Sequence, residues 1–221
     1  MRIASWNIRK AVGLDWKRSP ERVLDVLDDI RPDVVLLQEA DKRLGARPSA
    51  LPFRLIEAHR RLTWLRVGDN DVSLGWHGNA VLLREGLEAE CLERVTLPGL
   101  EPRGAVIARV GDLLVVGCHL GLRRGDRRRQ VDVILREAER FGIARMVMGG
   151  DFNEWRMPLL LGTTHHPLRD VTPGPTFHAS RPLVALDHFV LGGGLRPKAS
   201  GVWHDPPSHR ASDHLPIWVD L

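Results

Sequence analysis

Four carboxylates stand where apolar runs begin or end: Glu39, Asp151, Asp187 and Asp213. Like charges gathered in one place resist ionisation. A divalent cation relieves that cost. Carboxylate and amide oxygens suit Mg²⁺, with Mn²⁺ as the alternative, better than Zn²⁺. The two cysteines, Cys91 and Cys118, make neither a disulfide framework nor a zinc quartet. Mg²⁺ shares its shell between one or two carboxylates, water and substrate phosphate, so phosphate-ester chemistry is the natural reading. Asp213-His214 with Asp187 forms a second constellation. A histidine that handles protons needs a carboxylate to fix its tautomer and stabilise its cation. With two Asp at hand, one is free for metal while the other orients His214. The third constellation is Gly149-Gly150-Asp151-Phe152-Asn153. Its glycines allow a tight turn, and an extended turn would aim Asp151 and Asn153 into one pocket. Asp151 is suited to activating water, and Asn153 to donating to a phosphoryl oxygen as charge builds there. The chain has no Tyr, which excludes any phenol mechanism.

These residues need a scaffold that brings them together, and a repeat in the chain supplies one. Residues 2–8 read as a short strand. Ser19-Pro20-Glu21 reads as the start of a helix, with Val23, Val26, Leu27 and Ile30 on its apolar face. Pro32 ends it, and Val34 to Leu37 form a buried strand before Glu39. The phrase recurs: Leu113 to Cys118 lead to His119, Val131, Ile134, Leu135 and Ala138 mark a helix, and Met146 to Met148 lead to Asp151. The spacing from Asn7 to Glu39 (39 − 7 = 32) equals that from His119 to Asp151 (151 − 119 = 32). Further on, Asn79 matches Asp187 and Arg103 matches Asp213, each before another apolar run. Two similar halves packed face to face, with helices outside, would let these strand ends converge.

Six motifs in order carry a resemblance: Ser5-Trp6-Asn7, Leu37-Gln38-Glu39, Gly117-Cys118-His119-Leu120, Gly150-Asp151-Phe152-Asn153, Leu186-Asp187-His188 and Ser212-Asp213-His214. Together they resemble the endonuclease/exonuclease/phosphatase superfamily, and most of all a small bacterial branch of it. The resemblance implies a DNase I-like, four-layer α/β/β/α sandwich with internal pseudo-two-fold symmetry, spanning residues 1–221 as one domain. It implies that Glu39 is the principal ligand of Mg²⁺, assisted by Asn7 and Asp213. Asp151 would position or activate the attacking water, Asn153 would hold the phosphoryl oxygen, and Asp187 would orient His214. His119 would contact phosphate and serve the leaving group. The base is either Asp151 or His214. Abasic-site repair enzymes of the superfamily use a Tyr near the site, which this chain lacks.

The chain has 221 residues, 43% of them hydrophobic and 27% charged, so a packed core is expected. Its formal net charge is +4, and of 32 cationic side chains only Lys10, Lys17, Lys42 and Lys198 are not Arg. Arg forks suit phosphate. Arg123, Arg124, Arg127, Arg128 and Arg129 crowd a helix start just after His119, where cations oppose the helix dipole. That favours a phosphate clamp, with Arg123, Arg103 and Asn79 as substrate-phosphate residues. Trp16, Trp64, Trp155 and Trp218 are expected in packing. A nucleic acid is the favoured phosphodiester substrate, and an anionic lipid or small phosphoester is the alternative. A catalytically inactive phosphate-binding module is a third reading. No apolar run approaches the ~20 residues of a membrane span, and the first residues lack a signal-peptide pattern. A cytoplasmic location is therefore expected, and the chain is read as a monomer.

Overall fold

The repeat read in the sequence takes shape as two successions of strands. A computed structural model describes residues 1–162 and 164–221. The first half runs β1 (Arg2–Asn7), a 3-10 turn (Arg9–Ala11), α1 (Pro20–Ile30), β2 (Val34–Gln38), α2 (Phe53–His59), β3 (Leu62–Trp64), β4 (Ala80–Arg84), β5 (Ala89–Leu97) and β6 (Arg103–Val110). The second runs β7 (Leu113–His119), α3 (Arg124–Glu139), β8 (Met146–Asp151), α4 (Met157–Leu161), β9 (Arg169–Val171), β10 (Asp187–Leu191), β11 (Ala199–Val202), α5 (Ser208–Ala211) and β12 (Ile217–Asp220).

Two six-stranded sheets result, ordered β11-β12-β1-β2-β4-β3 and β5-β6-β7-β8-β10-β9. The orders correspond strand for strand. The parallel pairs are β1–β2 and β7–β8, each joined by a helical crossover as parallel strands require. The halves do not build separate sheets. The β5–β6 hairpin of the first half completes the second sheet, and β11–β12 of the second half completes the first.

The registers correct the repeat by one residue. Asn7 lies opposite Gln38, whereas His119 lies opposite Asp151. Gln38, not Glu39, is thus the counterpart of Asp151. Glu39 lies one position beyond the strand, in left-handed backbone (φ 52°), so it leaves the alternation of the sheet. The same shift affects the last pair. Ile107 faces Val116, and Trp218 faces Ala4, the equivalent of Val116. Counted back along each strand, Arg103 corresponds to His214 rather than Asp213.

Alternation sorts the side chains into layers. Ile3, Val34, Leu36, Val81, Val115, Val147, Phe189 and Ile217 fill the space between the sheets. Val35 and Leu37 point outward, onto Val23, Leu27 and Ile30 of α1 and Ile56 of α2. Val116 and Met148 meet Val131, Ile134 and Leu135 of α3 and Leu160 of α4. The result is the α/β/β/α sandwich. Carried to the strand ends, the inner-face parity includes Asn7, His119, Asp151 and Asp187, so the layer that packs the core also delivers the polar cluster. Among the described residues, no helix is long and apolar enough to cross a membrane.

Helix starts are built in two ways. At α1, Ser19 Oγ accepts the Arg22 N–H and Pro20 opens the first turn. At α3 the N-cap is Arg123, which makes no capping side-chain bond among the described residues. Its cationic first turn is compensated by carboxylates instead. Arg127 Nη2 donates to Glu154 Oε2 at 2.7 Å, and Arg124 Nε lies 3.4 Å from the same oxygen. Arg129 pairs with Asp126. Arg127 and Glu154 are buried. The run expected to clamp phosphate is therefore in part a helix anchor. The tryptophans divide as well. Trp64 and Trp218 pack on the outer apolar cluster, but Trp16 (78% exposed) and Trp155 (59%) do not enter the core.

Burial works to raise the Glu154 carboxyl, yet hydrogen bonds and charge from Arg127 and the Arg156 N–H hold it below its ordinary 4.5. A lowered acid stabilises the fold above its unfolded value, and that contribution fades as pH falls through the folded value. Arg127→Met should cost about 3 kcal/mol near pH 7 in urea titration. The gap from the parent should narrow below about pH 4.5. A cost that stays constant into strong acid would contradict the pairing.

Candidate active site

The inner faces of β1, β7, β8 and β10 end at one point between the sheets. Asp151, the last residue of β8, is buried there. Its Oδ2 accepts Asn7 Nδ2 at 3.0 Å from the opposite sheet. The same oxygen lies 3.3 Å from His119 Nε2 and 3.7 Å from His214 Nε2. Its Oδ1 accepts the Asn153 N–H at 2.9 Å. Asp187 is directly across the ladder from Asp151. Its Oδ2 accepts the Thr176 hydroxyl at 2.5 Å and lies 2.8 Å from His214 Nδ1. His214 is also held through its carbonyl, which accepts Trp6 Nε1 at 2.9 Å, and by the Phe177 ring at 5.0 Å.

Local backbone explains how these side chains reach the point. A Cβ on Gly150 would stand 1.9 Å from the Cys118 carbonyl oxygen, and one on Gly149 2.8 Å from the Phe189 ring. The two positions before Asp151 must therefore lack side chains. The turn after Asp151 is not extended: Asn153 is left-handed (φ 51°), and its N–H closes back on Asp151. Asn153 Nδ2 donates to the Leu120 carbonyl at 2.9 Å.

Glu39 lies across from this cluster. Lys10 Nζ forms a close ion pair with its Oε2, and Arg43 Nη2 is 3.3 Å from its Oε1. Arg9 Nε lies 3.6 Å from Asp213 Oδ2. Arg9, Lys10 and Ala11 all have positive φ (47°, 58° and 58°). One left-handed turn thus sets a cation against each of two carboxylates. An open cavity of about 210 Å³ covers Glu39 and His119. Its walls carry Lys10, Lys42, Arg43, Arg47 and Arg103 against Glu39, Asp41 and Glu101, so cations predominate. Arg103 pairs with Glu101 at 2.7 Å, and its Nη1 lies 2.9 Å from the His119 ring nitrogens.

Two expected phosphate residues are not part of the cavity wall. Asn79 is buried and donates to the Gly104 carbonyl at 2.9 Å, bracing the start of β6. Arg123 is exposed at the head of α3, outside the cavity wall. Sequence reasoning missed Arg9, Lys10, Arg43 and Thr176. Two adjacent cations just beyond Asn7-Ile8 were a signal for the first pair. Thr176 has no local signal, because its partner Asp187 is close only in the folded chain.

The charges differ sharply between the two histidines. Burial alone would lower His214, but Asp187 and Asp151 outweigh it and raise it to about 10, so His214 is cationic near neutrality. Burial pushes His119 down to about 3 despite Asp151, and Arg103 adds to the effect, so His119 is neutral. Burial also works against Glu39, yet Lys10 and Arg43 hold its carboxyl below the usual range.

Among the described residues, Asp151, Asp187 and His214 bring three ligand-type atoms within 4.8 Å of one another. Those atoms are largely occupied by hydrogen bonds within the cluster, which suits proton handling. Glu39 is different: it is ionised, faces an open cavity and already draws a cation to each oxygen. Such a donor fits a hard divalent ion.

A sequence profile of the endonuclease/exonuclease/phosphatase family matches residues 4–214. The chain belongs to this family. Members of the superfamily are hydrolytic phosphoesterases, typically metal-dependent. Among curated relatives, the uncharacterized protein YbhP of Escherichia coli K12 is 28% identical over 166 residues, 66% of this chain and 63% of YbhP. The match thus spans less than two thirds of that relative. Solved structures share the fold. An endonuclease/exonuclease/phosphatase from Beutenbergia cavernae superposes with a TM-score of 0.74 at 22% identity, covering 99% of this chain and 70% of that one. The TDP2 of D. rerio, complexed with a single-strand DNA product, gives 0.72 at 18% identity, covering 99% and 97%.

The strand-end geometry depends on the missing side chain before Asp151. Gly150→Ala should lower stability by about 2 kcal/mol or more, measured by thermal or urea unfolding. A variant as stable as the parent would show that the β7–β8 contact is not the constraint described.

Proposed function

We propose that this chain is a Mg²⁺-dependent phosphodiesterase that hydrolyses nucleic acid by direct attack of water on phosphorus. The observation that carries the reading is the convergence of Asn7, His119 and His214 on one oxygen of Asp151. Asp151 is the proton acceptor for the attacking water, because its carboxylate is fixed in place and both imidazoles face it. His214 is already protonated, so it serves as a donor to the phosphoryl oxygen rather than as the base. Asp187 holds His214 Nδ1 and compensates its charge. Arg103 and neutral His119 form the wall against which phosphate rests. Asn153 retains one amide hydrogen for a phosphoryl oxygen. Glu39, with Asn7 and Asp213 assisting, would hold Mg²⁺ or Mn²⁺, which stabilises developing negative charge when bound. Lys10 stands against Glu39 as its counter-ion in the absence of that charge.

The cationic cavity supports a polyanionic substrate, and the single-strand DNA product held by the structurally similar TDP2 supports nucleic acid. The chain is read as a single-domain monomer acting in the cytoplasm.

Purified protein should cleave single-stranded DNA or RNA with Mg²⁺ or Mn²⁺ and not in EDTA. Glu39→Gln and His214→Gln should each lose about 100-fold or more in kcat. Lys10→Met should bind Mn²⁺ more tightly than the parent, read from the free-ion EPR signal. Undiminished cleavage in EDTA would overturn the metal assignment. Turnover of phospholipid vesicles with nucleic acid intact would overturn the substrate assignment.

A further inference from the structure

The loop between the 3-10 turn and α1 is braced and carries an exposed indole beside the site. Val12 and Arg18 bridge its two sides. The Gly13 N–H donates to the Lys17 carbonyl, and the Leu14 N–H to that of Arg210. Arg22 pairs with Asp15 at 2.9 Å and also donates to the Arg210 carbonyl at 3.0 Å. At the tip stands Trp16, 78% exposed and in left-handed backbone (φ 60°). A bulky L-residue is disfavoured there; Gly or Asn is the ordinary occupant. The indole contributes little to packing, and strain of this kind is retained where a function needs the side chain.

The ring is also close to the catalytic cluster. The Arg9 guanidinium lies over it at 4.5 Å. The same guanidinium reaches Asp213, with Nε 3.6 Å from Oδ2, and the Arg9 N–H donates to Asn7 Oδ1 at 3.1 Å. One indole face is thus backed by a cation that itself touches the site, and the other face is open. Insertion into a membrane surface would need an apolar face around the ring. Here the flanking residues are Asp15 and Lys17.

We infer that Trp16 is a stacking platform for a nucleobase of single-stranded nucleic acid whose phosphate lies in the site. This rests on the nuclease reading above and narrows it to strands with unpaired bases. The contact is tolerant of sequence, since every base offers a π-face, and Arg9 behind the ring fixes its orientation. Two cations, Lys17 and Arg18, follow the indole and suit the adjoining backbone phosphates.

The test is fluorescence anisotropy in EDTA with three probes: labelled oligothymidylate, an abasic strand of equal length, and phosphatidylglycerol vesicles by co-sedimentation. Trp16→Ala should weaken oligothymidylate binding about tenfold, and Trp16→Phe should restore most of it. The parent and both variants should bind the abasic strand alike. Unchanged oligothymidylate binding by Trp16→Ala overturns the inference. So does an equal loss on the abasic strand, or a loss confined to vesicles. If the parent binds no oligonucleotide in EDTA and cleaves none with Mg²⁺ or Mn²⁺, the nuclease reading falls with the inference. If the parent binds and cleaves while Trp16→Ala binds equally well, only the stacking role falls.

Discussion

The Asn7 amide of one sheet donates to the Asp151 carboxylate of the other at 3.0 Å, and both residues are buried. Buried polar groups must find partners, so this bond fixes how far apart the two sheets can end. The apolar layer beneath it sets the spacing, from Ile3 and Leu36 on one side to Val115 and Phe189 on the other. Gly149, two positions before Asp151, leaves room for Leu36 of the facing sheet, and Gly150 lets β7 and β8 lie close. His119 and His214 then meet the same carboxylate because their strands end, or begin, at the same level. Disturbing that distance would affect every other contact of the cluster.

Charge compensation follows from the same geometry. His214 is a cation because three carboxylates surround it, and His119 is neutral because burial and Arg103 outweigh Asp151. On the other side, Glu39 stays ionised beside Lys10 and Arg43. The site therefore joins a cationic imidazole, a fixed carboxylate and a cation-lined opening within one network. The Arg9-Lys10 turn adds a counter-ion for each carboxylate that the family resemblance assigns to metal.

Much of this was legible in the sequence. Strand, helix and strand could be read from Val34–Leu37 and Leu113–Cys118, because buried parallel strands are continuously apolar. Ser19 and Pro20 marked a helix start that the structure reproduces. The polar residues at strand ends pointed to a shared site. Other features were hidden for physical reasons. Equal spacings made Glu39 the counterpart of Asp151 in the repeat, but register depends on how each crossover enters its strand, and Gln38 is the residue in that position. Exchange of the β5–β6 and β11–β12 hairpins is a matter of which sheet edge each meets, which periodicity does not encode. Arg127 belongs to Glu154, a partner 27 positions away (154 − 127) and close only after folding. Trp16 looked like core because large aromatics usually are, while its left-handed loop tip has no simple sequence mark.

The central claim is that residues from both sheets act through one oxygen of Asp151. A double-mutant cycle of Asn7→Ala and His119→Ala, read as kcat/KM on a single-stranded oligonucleotide, tests it most directly. Each single change should cost about 100-fold, and the double variant should lose little more than either alone. Losses that multiply independently would contradict the shared contact, as would full activity in either single variant.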